Sequence, residues 1–123
     1  MQGGVAGLVR FGMIPSLTRS ALIPALAQFK SEFPDVELSL LEEYSYSLMR
    51  RVLDGELDFA LVPSTDVPSG LTARFVGRDR EMLVSNATSH SDHDHMIEVP
   101  LSSLQGARLI VPSRLNVRRK RID

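Results

Sequence analysis

Apolar and polar positions along this chain fall into short continuous runs, alternations and helical stripes. From Leu8 to Ile14 nearly every residue is apolar and only Arg10 is charged. Such a run predicts a central strand covered on both faces. Pro15 stops it, and Ser16 or Thr18 is placed to cap a helix. Along that helix Leu22, Leu26, Phe29 and Phe33 fall at offsets of 0, 4, 7 and 11, one stripe for burial. Pro24 cannot donate a backbone hydrogen bond, which predicts a kink or an irregular turn there. Pro34-Asp35 ends the helix. Val36 to Leu41 alternates apolar and polar residues and reads as a second strand. Ser45 or Ser47 then caps a short helix whose Leu48/Val52 and Met49/Leu53 pairs face inward. Gly55 supplies a left-handed stop, and Phe59 to Val62 forms a third buried strand. Strands alternating with helices imply parallel pairing with right-handed crossovers.

Past Ser64 the pattern changes. "TDVPSG" is a turn-rich loop, followed by predicted strands over Thr72 to Val76 and Glu81 to Ser85. "SNATSHSDHDH" is a polar, exposed loop, and "PLSSLQG" reads as one helical turn. A further buried strand is predicted over Arg108 to Val111. Pro112-Ser113 ends it with the Pro-Ser pair that also follows the first and third strands. The final "RLNVRRKRID" has no room to complete an element, so the sequence is expected to be part of a longer protein.

Composition narrows the classes. A chain of 123 residues fits one domain or one lobe, and 43% hydrophobic with 24% charged residues excludes disorder for its bulk. The net charge of −1 argues against a dedicated nucleic-acid surface. Without cysteine there is no disulfide framework, thiolate metal site or cysteine nucleophile. The N-terminus lacks the basic and apolar regions of a secretory signal, and no apolar run approaches the ~20 residues of a membrane helix. A soluble, cytoplasmic protein is expected.

Candidate chemistry is sparse. The turn Pro15-Ser16-Leu17-Thr18 joins a strand's carboxyl end to a helix N-terminus, the edge where open α/β sheets bind ligands. Backbone N–H groups and the helix dipole favour an anion there; capping alone explains Ser16 and Thr18 equally well. Pro63-Ser64-Thr65 follows the third strand at the equivalent edge, although Ser and Thr are also common loop residues. Gly3, Gly4 and Gly7 precede a strand, so they do not make a dinucleotide fingerprint. His90, His93 and His95 with Asp92 and Asp94 lie in a polar loop that offers no second shell, so no metal site is assigned. Arg118, Arg119, Lys120 and Arg121 are read as the start of a solvated helix. Asn86-Ala87-Thr88 matches a glycosylation acceptor without a secretion signal. Glu42 and Glu43 are adjacent and point to opposite sides of a strand. No Gly-x-Ser-x-Gly elbow or other catalytic constellation is present, so no catalytic residue, cofactor or enzymatic role is assigned.

The ordered set "GLVRFGMIPSLTRSALIPALAQFKSEFPDVELSL", "LMRRVLDGELDFALV" (with Gly55 and Asp58) and "REMLV…H…PLSSLQGARLIVPS" resembles the effector-binding domain of LysR-type transcriptional regulators. The terminal "RRKRID" is similar to the family's segment past its first hinge. The resemblance implies an α/β, periplasmic-binding-protein-like (type 2), Rossmann-like lobe, truncated, with a mostly parallel sheet and flanking helices. Residues 1–7 are glycine-rich and apolar-poor, a flexible lead-in, and the resemblance implies a first lobe over 8–111 and a hinge with the start of a truncated second lobe over 112–123. A small effector, a carboxylate or similar anion, would lie between lobes and reshape a homo-oligomer bound to DNA. Ser16, Leu17 and Thr18 match the first-lobe turn that contacts effectors, Pro63 and Ser64 the turn after the third strand, and Pro112 and Ser113 the crossing between lobes. The family's winged helix-turn-helix is absent, so operator DNA is not expected to bind here, and "SHSDHDHM" departs from the usual His-Pro-Leu pattern. A lone first lobe would expose its sheet edge and cleft, which predicts self-association. A solute-binding protein for transport and an enzyme lobe of similar fold are the alternative readings.

Overall fold

The computed structural model describes residues 4–63, 66–84, 98–114 and 116–122, of which 120 and 121 are described by backbone alone. The chain divides into two units, Met1–Ala73 with Val111–Asp123, and Arg74–Ile110.

The first unit is built on three parallel strands, β1 (Gly7–Met13), β2 (Val36–Glu42) and β3 (Phe59–Leu61), in the order β2-β1-β3. β1 pairs with β2 from Gly7↔Val36 to Met13↔Glu42, and with β3 from Phe11↔Phe59 to Met13↔Leu61. The all-parallel pairing follows from the alternation of strand and helix, since each helix returns the chain to the starting edge. Three helical segments cover the sheet: α1 (Pro15–Leu17), which runs through a π-helical turn at Thr18–Leu22 into α2 (Ile23–Glu32), and α3 (Ser45–Leu53).

Strand alternation sends β1 residues to opposite faces. Phe11 and Met13 join Leu22 in one buried cluster, lined by Leu17, Leu26, Leu38 and Leu61. Ile14, on the other parity, joins Leu48 and Leu57 in a second cluster with Leu41, Val52, Ala60 and Val62 around it. The helical run after β1 therefore covers one face and α3 the other. Leu48 is fully buried. It packs directly over Gly12: a β-carbon at that position would overlap Leu48 Cδ2 and lie 3.0 Å from Leu57 Cδ1. Only glycine admits the helix at this distance.

Coverage of β1 is partial, contrary to the expectation of a strand buried along its length. Leu8 is 53% exposed, and burial starts at Phe11. The nine residues of α3 span about 14 Å, whereas seven residues of strand span about 23 Å, so the helix reaches only the carboxyl half.

Helix ends also differ from expectation. Pro15 is the first helical residue, and Ile14 holds the cap position with no side-chain cap. Thr18 Oγ1 donates to Ile14 O at 3.2 Å and Ser20 Oγ to Ser16 O at 2.9 Å, so these hydroxyls bond backward instead of capping. The π turn is the irregularity foreseen from Pro24, whose ring crowds the carbonyl four residues back. Lys30 finishes the helix by donating to Pro34 O and Val36 O, both at 2.8 Å. In α3 the cap is Tyr44, again without a side-chain bond, and Ser45 is buried. Gly55 (φ 75°) stops α3 as expected, with Glu56 N–H reaching Arg51 O at 2.9 Å.

In the second unit the turn at Leu101–Leu104 is a 3-10 helix, anchored by Ser103 Oγ on Pro100 O at 2.8 Å. The predicted strands over Thr72–Val76 and Arg108–Val111 are not formed, nor is Glu81–Ser85 over its described residues 81–84. A β-favouring run becomes a strand only with a ladder partner and a buried face. These runs have neither among the described residues, and Phe75, Val84 and Ile110 are exposed. Back in the first unit, the basic run begins a short 3-10 helix, Val117–Arg121, capped by Asn116, whose Oδ1 accepts from Arg118 N–H at 3.0 Å.

Leu48→Ala is expected to cost about 2–5 kcal/mol, the range for emptying a well-packed core site. Urea unfolding of both proteins measures it; an unchanged midpoint would contradict the role assigned to Leu48.

Candidate functional site

Because all three strands are parallel, their carboxyl ends share one edge of the sheet. That edge carries the turn after β1, the start of α3 after β2, and Pro63 after β3. Ser16 is exposed there, while Leu17 is half-buried and touches both core clusters. Leu17 thus fixes the turn to the core. Pro15 has no N–H, and the N–H groups of Leu17 and Thr18 both go to Ile14 O, at 3.0 and 3.1 Å. The polar capacity of the turn accordingly rests on Ser16, through its hydroxyl and its own N–H. Pro63 is half-buried next to Val62, which packs in the second cluster. Ser64 and Thr65 lie outside the described residues, as do His90, Asp92, His93, Asp94, His95 and the Asn86-Ala87-Thr88 acceptor. Pro112 and Ser113 are exposed; Ser113 O accepts from Asn116 N–H at 3.0 Å, closing a turn. The structure therefore brings Ser16–Thr18 and Pro63 to one edge.

A reciprocal clasp sets the registry behind this edge. Asp58 Oδ2 accepts from Arg10 N–H at 2.7 Å, and Oδ1 from the Arg10 guanidinium at 3.2 Å. Asp58 N–H returns a bond to Arg10 O at 2.8 Å. Donation from the Arg10 backbone first, and from its side chain second, holds the Asp58 carboxyl below its ordinary 3.8. The residues lie 48 apart in sequence, so only the parallel β1–β3 pairing brings them together.

Sequence reading missed a second feature. At the end of β2 and along α3 lies an open groove of ≈ 660 Å³ lined by Glu42, Tyr44, Tyr46 and Arg50 among others. Arg51 bridges its walls. Its guanidinium donates to Glu43 through Nε at 3.1 Å and Nη2 at 3.0 Å, and Nη1 contacts Glu56. Bonding to Glu43, then to Glu56, raises the Arg51 pKa above its ordinary value. The available signal was the pair of arginines one helical turn before an acidic, glycine-containing stop. Among the described residues no group of three or more His, Cys, Asp or Glu could hold a metal ion, and no helix is long and apolar enough to cross a membrane.

The parallel sheet with helices on both faces, and a polar turn at its carboxyl edge, define an α/β lobe. The LysR substrate binding domain family matches residues 2–123, and the chain belongs to that family. Its fold class is that family's periplasmic-binding-protein-like (type 2) architecture. Two solved structures share the fold. HinK, a LysR family transcriptional regulator from Pseudomonas aeruginosa, is 23% identical with a TM-score of 0.50, over 54% of this chain and 23% of that one. The PA01 protein, a candidate LysR family transcriptional regulator from the same organism, is 22% identical with a TM-score of 0.51, over 56% and 25% respectively. The matched stretch thus spans about a quarter of those regulators' length.

A depressed carboxyl pKa stabilises the folded state fully above the unfolded value and loses that contribution as pH falls through the folded one. Asp58→Asn is therefore expected to lower the melting temperature at pH 7, with the gap closing progressively below pH 3.8. Thermal denaturation across pH checks this; a gap that persists undiminished in acid would contradict it.

Proposed function

We propose that this chain is the effector-sensing part of a LysR-type transcription regulator. The match of the family across residues 2–123 carries the reading. The effector is a small carboxylate or similar anion, received at the carboxyl edge of the sheet. Ser16 donates to it from its hydroxyl and its N–H, the groups that the surrounding turn leaves to it. Thr18 and Leu17 hold that turn in place, Pro63 extends the same wall, Ser64 is proposed as a further effector contact from the family resemblance, and Pro112 and Ser113 lead toward a second lobe. Binding shifts the population of a homo-oligomer whose DNA contacts come from a winged helix-turn-helix, in the cytoplasm, with no catalysis and no cofactor.

Two experiments test this. Thermal-shift screening against small carboxylates is expected to return a saturable stabilisation; occupancy at a hundredfold excess over Kd corresponds to about 2.7 kcal/mol. In the complete regulator, Ser16→Ala is expected to raise the effector concentration for half-maximal response roughly tenfold or more, the scale of one hydrogen bond to a charged group. A normal response in that variant would remove Ser16 from the site.

A further inference from the structure

A residue away from the carboxyl edge bears on how Ser16 is presented there. α1, the π turn at Thr18–Leu22 and α2 form one unbroken helical run, so the turn that carries Ser16 takes its orientation from α2 through the π turn. Two side chains hold the start of this run to the core. Leu22 is buried in the first cluster, and Leu17 packs against both clusters. On an α-helix of 3.6 residues per turn, the five positions from Leu17 to Leu22 would rotate by about 500°, leaving the two side chains ~140° apart. The π turn, closed by hydrogen bonds that span five residues, brings them to one face instead. Leu26 continues that face in α2 and packs against the same cluster.

Pro24 closes the α-helical alternative. Its nitrogen carries no hydrogen, so Ser20 O, four residues back and inside the π turn, has no α-helical donor, and the ring crowds that oxygen. The Ser20 hydroxyl ties the π turn back to the residues before it, reaching Ser16 O at 2.9 Å and Leu17 O at 3.5 Å. Without the extra residue of the π turn, Ser16 and Leu17 would turn by about 100° relative to Leu22. Either Leu17 would leave the clusters or Ser16 would leave its place at the edge. Pro24 itself is exposed, so its effect is conformational and not one of packing.

We propose that Pro24 is a positioning residue for the effector turn. By enforcing the π turn it sets the phase between Leu22 and Leu17, and through Leu17 the outward presentation of the Ser16 hydroxyl and N–H. The functional consequence rests on the effector role of Ser16 proposed above; the geometry does not.

The chain has no cysteine, so Ser16→Cys places a single thiol at the position in question. Three proteins carrying that substitution are compared: the parent, Pro24→Ala, and Pro24→Ala with Arg19 deleted. Arg19 is exposed within the π turn, and its deletion leaves Leu17 and Leu22 at the α-helical spacing of neighbours on one face. Nuclear Overhauser contact between the Leu17 and Leu22 methyl groups reports the phase, and the rate of thiol alkylation by iodoacetamide reports the presentation of position 16. The parent is expected to show the methyl contact. Pro24→Ala is expected to lose it and to change the alkylation rate, and the deletion is expected to restore both. A proline with a merely structural role would not be rescued by shortening the turn. Persistence of either readout in Pro24→Ala overturns the proposal, as does a loss that the folded deletion variant fails to reverse. Where the shortened protein does not fold, the Pro24→Ala comparison decides alone. No effector enters these measurements: their failure removes Pro24 and leaves the effector reading standing, whereas a normal effector response in Ser16→Ala leaves the geometry standing.

Discussion

The contact between Leu48 and the bare backbone of Gly12 decides where everything else in the first unit can sit. A fully buried leucine from α3 seats on a central strand at a point where no side chain intervenes. This brings Ile14, Leu48 and Leu57 into one cluster, with Val52 and Ala60 around it. Interiors are packed densely enough that a single added carbon here forces backbone or rotamer shifts. With α3 held at this distance, the start of α3 after β2 is also held, and so are Tyr44 and the groove beside it. The groove and the core are thus set by the same contact.

The Arg10–Asp58 clasp complements this packing along the strand direction. It joins the middle of β1 to the residue just before β3, on both backbone and side-chain groups. Burial fixes which face a side chain takes, while the clasp fixes the slide of β3 against β1. Together they place the turn after β1 and Pro63 after β3 at one edge. The effector reading depends on that coincidence. The turn after β1 contributes chiefly Ser16, its other donors being turned inward to Ile14 O.

Sequence patterning made the strand-helix order of the first half legible, because each run announced its own period. The stop at Gly55 needed no tertiary information. Gly12 was illegible: within an apolar run a glycine looks like a weakness, and its reason lies in Leu48, 36 residues later. Helix starts were misread because Ser16, Thr18 and Ser45 have capping chemistry, yet Ile14 and Tyr44 occupy the cap positions. Runs such as Thr72–Val76 carry strand-favouring residues, but a ladder is a property of two segments and cannot be read from one. The tyrosine-lined groove escaped notice because charges on a helix read as a solvated face until the end of β2 brings Glu43 beside them. The family relationship was legible across the chain, since its signature is an ordered set of such local features.

A double-mutant cycle over Gly12→Ala and Leu48→Ala tests the packing constraint most directly. Gly12→Ala alone should destabilise by about 1–3 kcal/mol, the usual range for overpacking. In the Leu48→Ala background its cost should shrink, because the atom it meets first is gone, giving a coupling on the order of 1 kcal/mol or more. Costs that add to within about 0.5 kcal/mol would show two independent sites, and would contradict the account.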